Sequence, residues 1–121
     1  MKRILIVDDS ITVRQHISRA LEQAGYAVIE AEDGAEGLRK AESTSDLRMV
    51  VCDVNMPVLD GLGMLAGLHE RGLVSRFPVM MLTSEVQPTL MARAKRLGAK
   101  AWMVKPISAE ALTATVKKLV P

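Results

Sequence analysis

The apolar positions of this chain gather into short continuous runs, separated by segments of helical period. Ile4 to Val7, Met49 to Cys52 and Val79 to Leu82 are unbroken, the pattern of strands covered on both faces. Val28-Ile29-Glu30-Ala31-Glu32 mixes charge into its run and reads as a strand at a sheet edge. A fifth run starts near Ala101. Between the first two, Val13, Ile17, Ala20, Leu21 and Ala24 recur at helical spacing, and Gly25 supplies a stop. Asp33 followed by Glu36 is a capping pair that opens a helix to about Glu42. Asp60 caps a third helix ending near Gly72. Leu90, Ala94 and Leu97 form the inner face of a fourth, stopped at Gly98. Ser108 caps a fifth, with Leu112, Val116, Leu119 and Val120 turned inward.

Strands alternating with helices predict an α/β sandwich around a parallel sheet. Right-handed crossovers put helices on both faces once the chain reverses direction. Ligands of such sheets sit outside the carboxyl ends of the strands. The length of 121 residues predicts one domain, residues 1–121. The single cysteine, Cys52, excludes an internal disulfide and fits a reducing cytoplasm. The first apolar run stops at Asp8 after four residues, too short for a signal peptide or a membrane span. A soluble cytoplasmic protein is expected.

Sixteen basic and fourteen acidic residues give a net charge of +2, and the aromatics are only Tyr26, Phe77 and Trp102. Nucleic-acid binders cluster basic charge and interleave aromatics, so direct nucleic-acid binding is not expected. The basic residues of Arg93-Lys95-Arg96 and Lys117-Lys118 read as solvated helix faces.

The strand ends carry the chemistry. The first runs into Asp8-Asp9, the third into Asp53, the fourth into Thr83-Ser84 and the fifth into Lys105-Pro106. A parallel sheet brings these to one edge, so three carboxylates, a hydroxyl and an ammonium share a cleft. Carboxylates so close repel unless a cation neutralises them. Oxygen-only ligands suit Mg²⁺, with Mn²⁺ as a substitute. A lysine beside them can hold an anionic phosphoryl oxygen. Aspartate is a known covalent acceptor of phosphorus, and the set fits phosphoryl transfer. Taken singly, Asp8-Asp9 is a strand end with a helix cap, Thr83 a turn cap and Lys105 a surface lysine. Their coincidence carries the reading.

These stretches, together with Asp53-Val54-Asn55-Met56-Pro57 through Asp60-Gly61 and Gly98-Ala99 through Lys105-Pro106, make the chain resemble the receiver domain of bacterial two-component response regulators, of the stand-alone chemotaxis type. The resemblance implies a flavodoxin-like, doubly wound five-stranded sheet in order 2-1-3-4-5 with five helices. It implies that Asp53 is the phosphoacceptor and that Asp8, Asp9, Asp53 and the Asn55 carbonyl hold Mg²⁺. Thr83 and Lys105 would hold phosphoryl oxygens, and the bond before Pro106 would be cis. Thr83 and Trp102 would form the switch. Trp102 departs from the tyrosine or phenylalanine more usual there, and plain packing is the competing reading of it. The chain would be no enzyme beyond its own phosphorylation and dephosphorylation. Its partners would be a histidine kinase or phosphotransfer protein, and a downstream target met on the face from about Pro88 to Leu119. It would act as a monomer or a dimer.

Two other classes fit the sequence less well. A flavin or nucleotide module wants a phosphate loop and stacking aromatics, which the first strand end lacks. A receiver-like adaptor that works without phosphorylation usually lacks one of the five site residues, all present here. Cys52 reads as a core residue, and the helix residues His16 and His69 read as solvated, away from the strand ends.

Overall fold

The computed structural model describes residues 2–121. Five strands alternate with five helices: β1 (Arg3–Val7), α1 (Ile11–Gln23), β2 (Ala27–Ala31), α2 (Gly34–Ser43), β3 (Leu47–Asp53), α3 (Gly61–Glu70), β4 (Val79–Thr83), α4 (Pro88–Arg96), β5 (Ala101–Val104) and α5 (Ala109–Leu119). All strand pairs are parallel, in the order β2-β1-β3-β4-β5. The chain therefore reverses across the sheet after β2, and the helices divide between two faces. Ile4, Ile6, Met49, Val51, Met80 and Leu82 pack against α1 and α5. Leu5, Val7, Val50, Cys52, Val79 and Met81 pack against α2, α3 and α4. Alternation along each strand assigns the two sets, and burial on both sides explains the continuous apolar runs.

The helix starts follow from local chemistry. Asp33, Asp60 and Ser108 accept from the N–H groups of Glu36, Gly63 and Ala111 at 2.8, 2.7 and 3.0 Å, satisfying donors the helix leaves orphaned. Ser10 caps α1 in the same way, from Val13 at 3.3 Å. Gly25 and Gly98 follow α1 and α4 with φ of +97° and +103°, values that a residue with a Cβ rarely adopts. The third helix ends close to Gly72, as the sequence predicts. It stops at Glu70, and a separate 3-10 turn, Leu73–Ser75, follows Gly72. Gly72 is left-handed and Leu73 is buried, so the chain leaves the helix and then re-enters the core.

Candidate functional site

At the end of β1, alternation would send Asp8 toward the α1/α5 side, and the hydrogen bonds made there hold it. Its N–H donates to the Ala31 carbonyl at 3.1 Å. One carboxylate oxygen accepts from the Ser10 N–H at 2.9 Å, the other from Lys105 Nζ at 2.9 Å. The residue has no solvent exposure. Asp9, next along, is exposed. At the end of β3, Asp53 continues the Met49–Val51 side of the strand and is 4% exposed. Lys105 Nζ lies 3.2 Å from its carboxylate. Asp8, Asp9 and Asp53 each place a carboxylate oxygen within 4.8 Å of the others. Oxygen donors alone, at that spacing, fit a hard divalent cation such as Mg²⁺.

The electrostatics follow from this packing. Burial raises the Asp53 carboxyl above the usual carboxylate range, and the charge of Asp8 adds to the effect. Lys105 and its hydrogen bond oppose both without cancelling them. Burial works to lower the Lys105 ammonium, but its bond to Asp8 and the Asp53 charge outweigh that and raise it. The lysine is thus a firmly protonated counter-ion between two carboxylates. Cys52 takes the opposite side of β3, where its Sγ lies 3.6 Å from Met64 Sδ on α3. Burial, and then Asp53, push its thiol far upward, so it is a core residue and no reactive thiolate.

The β3–α3 loop is seated by glycines. Gly61 N–H donates to the Val54 carbonyl at 2.8 Å, and a Cβ there would lie 2.1 Å from the Asp53 carbonyl oxygen. Gly34 N–H donates to the Leu59 carbonyl at 3.0 Å, with a Cβ again 2.1 Å from that oxygen. Only glycine permits backbone to approach this closely. Asp60-Gly61 stood in the sequence motif, but nothing local revealed what its missing Cβ spares.

The remaining residues are placed unequally. Thr83 ends β4, fully buried, and its hydroxyl donates to the Glu85 carbonyl at 3.0 Å. Asn55 is exposed, two residues past Asp53. The Lys105–Pro106 bond is cis. Trp102 sits in mid-strand opposite Met81 and packs with the α2–α4 core, lining a 340 Å³ cleft with Met91 and Ala94. Its indole nitrogen is buried with no acceptor among the described residues. His16 is solvated, as the sequence predicts, but it meets the loop after β5. Its Nε2 lies 2.8 Å from the Ile107 carbonyl, because α1 packs beside α5 and meets the loop after Lys105.

Residues 4–117 match the family model described as the response regulator receiver domain. The chain is 35% identical over 116 residues to protein PilH of Pseudomonas aeruginosa, covering 96% of this chain and 95% of that protein. It is 32% identical to chemotaxis protein CheY1 of Helicobacter pylori, covering 91% and 90% of the two. It is also 38% identical to the alkaline phosphatase synthesis transcriptional regulatory protein PhoP of Bacillus subtilis, over 98% of this chain but only 48% of that one. Chemotaxis protein CheY4 of Vibrio cholerae superposes with a TM-score of 0.91 at 38% identity over 98% of both chains. A sheet in order 2-1-3-4-5, an acidic cluster at its carboxyl edge and these likenesses agree: the chain belongs to the response regulator receiver domain family.

Proposed function

We propose that Asp53 accepts a phosphoryl group from the phosphohistidine of a histidine kinase or phosphotransfer protein, and that the phosphorylated chain, one receiver unit over residues 1–121, signals by binding a target protein. The observation that carries this is the buried Asp53 carboxylate, held 3.2 Å from Lys105 Nζ with oxygens of Asp8 and Asp9 within 4.8 Å. A carboxylate oxygen of Asp53 attacks phosphorus. The new O–P bond forms as the P–N bond breaks, and its electron pair leaves with the donor imidazole. Asp8, Asp9, Asp53 and the Asn55 carbonyl would hold Mg²⁺, or Mn²⁺ in its place. The bound ion supplies charge neutralisation for carboxylates and phosphoryl oxygens that would otherwise repel.

Lys105 then exchanges a carboxylate for a phosphoryl oxygen, and Thr83 turns its hydroxyl from Glu85 to the phosphoryl group. Space vacated under Thr83 lets Trp102 reorient and changes the face formed by α4, β5 and α5. Exposed apolar side chains at the same edge of the sheet favour a protein donor over a small one. Ile11, Val58 and Val86 are 60%, 82% and 63% exposed on loops and a helix start at that edge. Among the described residues no helix is long and apolar enough to cross a membrane. We place the chain's work in the cytoplasm, without direct nucleic-acid contact.

Intact mass after incubation with Mg²⁺ and acetyl phosphate tests the reading, beside Asp53→Asn and a metal-free control. One phosphoryl adduct that needs Mg²⁺ and is absent from the variant is expected. No adduct on folded protein, with other small donors failing too, would favour an adaptor that works unphosphorylated.

A further inference from the structure

Asp8 is tied at every polar group it has. Its N–H and both carboxylate oxygens are engaged as described above, and its carbonyl accepts from Arg14 Nη1 at 2.6 Å. That carbonyl belongs to the peptide plane joining Asp8 to Asp9. Because the plane is rigid, whatever holds the Asp8 oxygen also sets where the Asp9 backbone begins. Among the described residues Asp9 has no comparable tie of its own, and it is exposed.

Arg14 is well suited to hold it. It lies one turn into α1, with its side chain 12% exposed. Its Nε donates to Glu30 on β2 at 3.0 Å, so one planar guanidinium spans the edge strand and the end of β1. Glu30 is held in turn through its own carbonyl, which accepts from Lys40 of α2. A guanidinium offers donors at a fixed angle, whereas an ammonium is a point charge on a flexible stem whose donors fix no such angle. Glu30 also neutralises Arg14, so the cation brings little repulsion to a divalent ion nearby.

We propose that Arg14 is a positioning residue for the cation site: it locks the Asp8–Asp9 peptide so that both carboxylates are presented to Mg²⁺ together. This rests on the reading of the acidic cluster as a Mg²⁺ site. Groups that orient metal ligands without touching the metal typically contribute about tenfold or more in affinity. The sign separates positioning from charge. Deleting a cation near a divalent ion tightens binding if charge alone matters, and weakens it if alignment matters.

The test is Mg²⁺ affinity by calorimetry on the unphosphorylated chain, wild type beside Arg14→Met and Arg14→Lys. Arg14→Met keeps the packing of the stem and loses both ties. It is expected to bind Mg²⁺ about tenfold more weakly, with Arg14→Lys in between. Thermal melts in EDTA check that both variants fold. Should Arg14→Met not fold, Arg14→Lys decides alone, with at least about threefold weakening expected from loss of the planar fork. Wild-type-like or tighter binding in the deciding variant overturns the proposal. Absence of Mg²⁺ binding to the wild type would sink the reading of the cluster itself, and this inference with it.

Discussion

Replacing Asp53 by asparagine should make the metal-free protein more stable at neutral pH, although it removes the proposed acceptor. Three effects dominate for the ionised Asp53 carboxylate, with the exposed Asp9 adding a smaller repulsion. Burial at 4% exposure costs several kcal/mol after relaxation. Repulsion from Asp8, with oxygens within 4.8 Å, adds about 3 kcal/mol at an effective dielectric near 20. Lys105, 3.2 Å away, returns about 5 kcal/mol on the same scale. The balance is a net cost on the order of 1 to 2 kcal/mol, consistent in sign with the raised Asp53 carboxyl. In Asp53→Asn that cost is gone and Lys105 keeps its bond to Asp8, 2.9 Å away. The gain should appear as a melting temperature about 4 to 8 °C higher.

The pH dependence fixes the cause. Since the folded carboxyl holds its proton to higher pH than the unfolded one, the folded state binds more protons in the window between the usual carboxylate range and the raised value. Wild-type stability therefore falls as pH rises through that window, and the full penalty stands above it. Below the usual carboxylate range the penalty is absent, so the two proteins should converge on acidification. Mg²⁺ should invert their order, because the wild type has one more carboxylate to bind it. At a free concentration 100 times the dissociation constant the stabilisation is about 2.7 kcal/mol. Urea unfolding followed by the fluorescence of Trp102, the one tryptophan, measures all of this in EDTA and in Mg²⁺. An asparagine variant less stable than wild type at pH 7 without metal would refute the reasoning. So would a stability gap that does not close in acid.

Other consequences are simpler. Val58 has a φ of +68° while 82% exposed, so Val58→Asn should relieve left-handed strain and stabilise by about 1 kcal/mol in denaturant titration. Gly61→Ala forces a Cβ against the Asp53 carbonyl; it should cost about 2 kcal/mol or more and slow acetyl-phosphate labelling, and an unchanged melt would contradict the close approach. Trp102 fluorescence should change when beryllofluoride and Mg²⁺ are added, since its indole N–H has no acceptor among the described residues to pin the ring; an unchanged spectrum and side-chain NMR would make it a packing residue only. Asn55, two residues past the proposed acceptor, and Glu85, two past Thr83, are both exposed, so the phosphoform should be short-lived, and persistence for many hours would oppose that reading.

Local pattern determined a good deal of this protein. Unbroken runs such as Val79 to Leu82 announced strands buried on both faces, since no alternation survives when each face has its own core. Asp33, Asp60 and Ser108 marked helix starts because a cap acts over three residues, a range visible in sequence. Alternation alone turned Cys52 into the core and Asp53 to the other side. The strand order and the role of each site residue were legible only through resemblance, since periodicity does not say which strands pair.

Other features were decided by surfaces meeting across the fold. Lys105 reaches Asp8 from 97 residues away, and it chooses two carboxylates because the sheet order brings β1, β3 and the end of β5 to one edge. Arg14 and His16 lie on a helix whose sequence reads as amphipathic and little else. Their acceptors, the carbonyls of Asp8 and Ile107, are backbone atoms present at every residue, so no side-chain pattern could name them. The need for glycine at positions 34 and 61 depends on the Leu59 and Asp53 carbonyls, the first brought close where α2 meets the loop before α3 and the second where that loop folds back on the end of β3. Sequence period sets which face a residue takes; only the assembled layers set what that face touches.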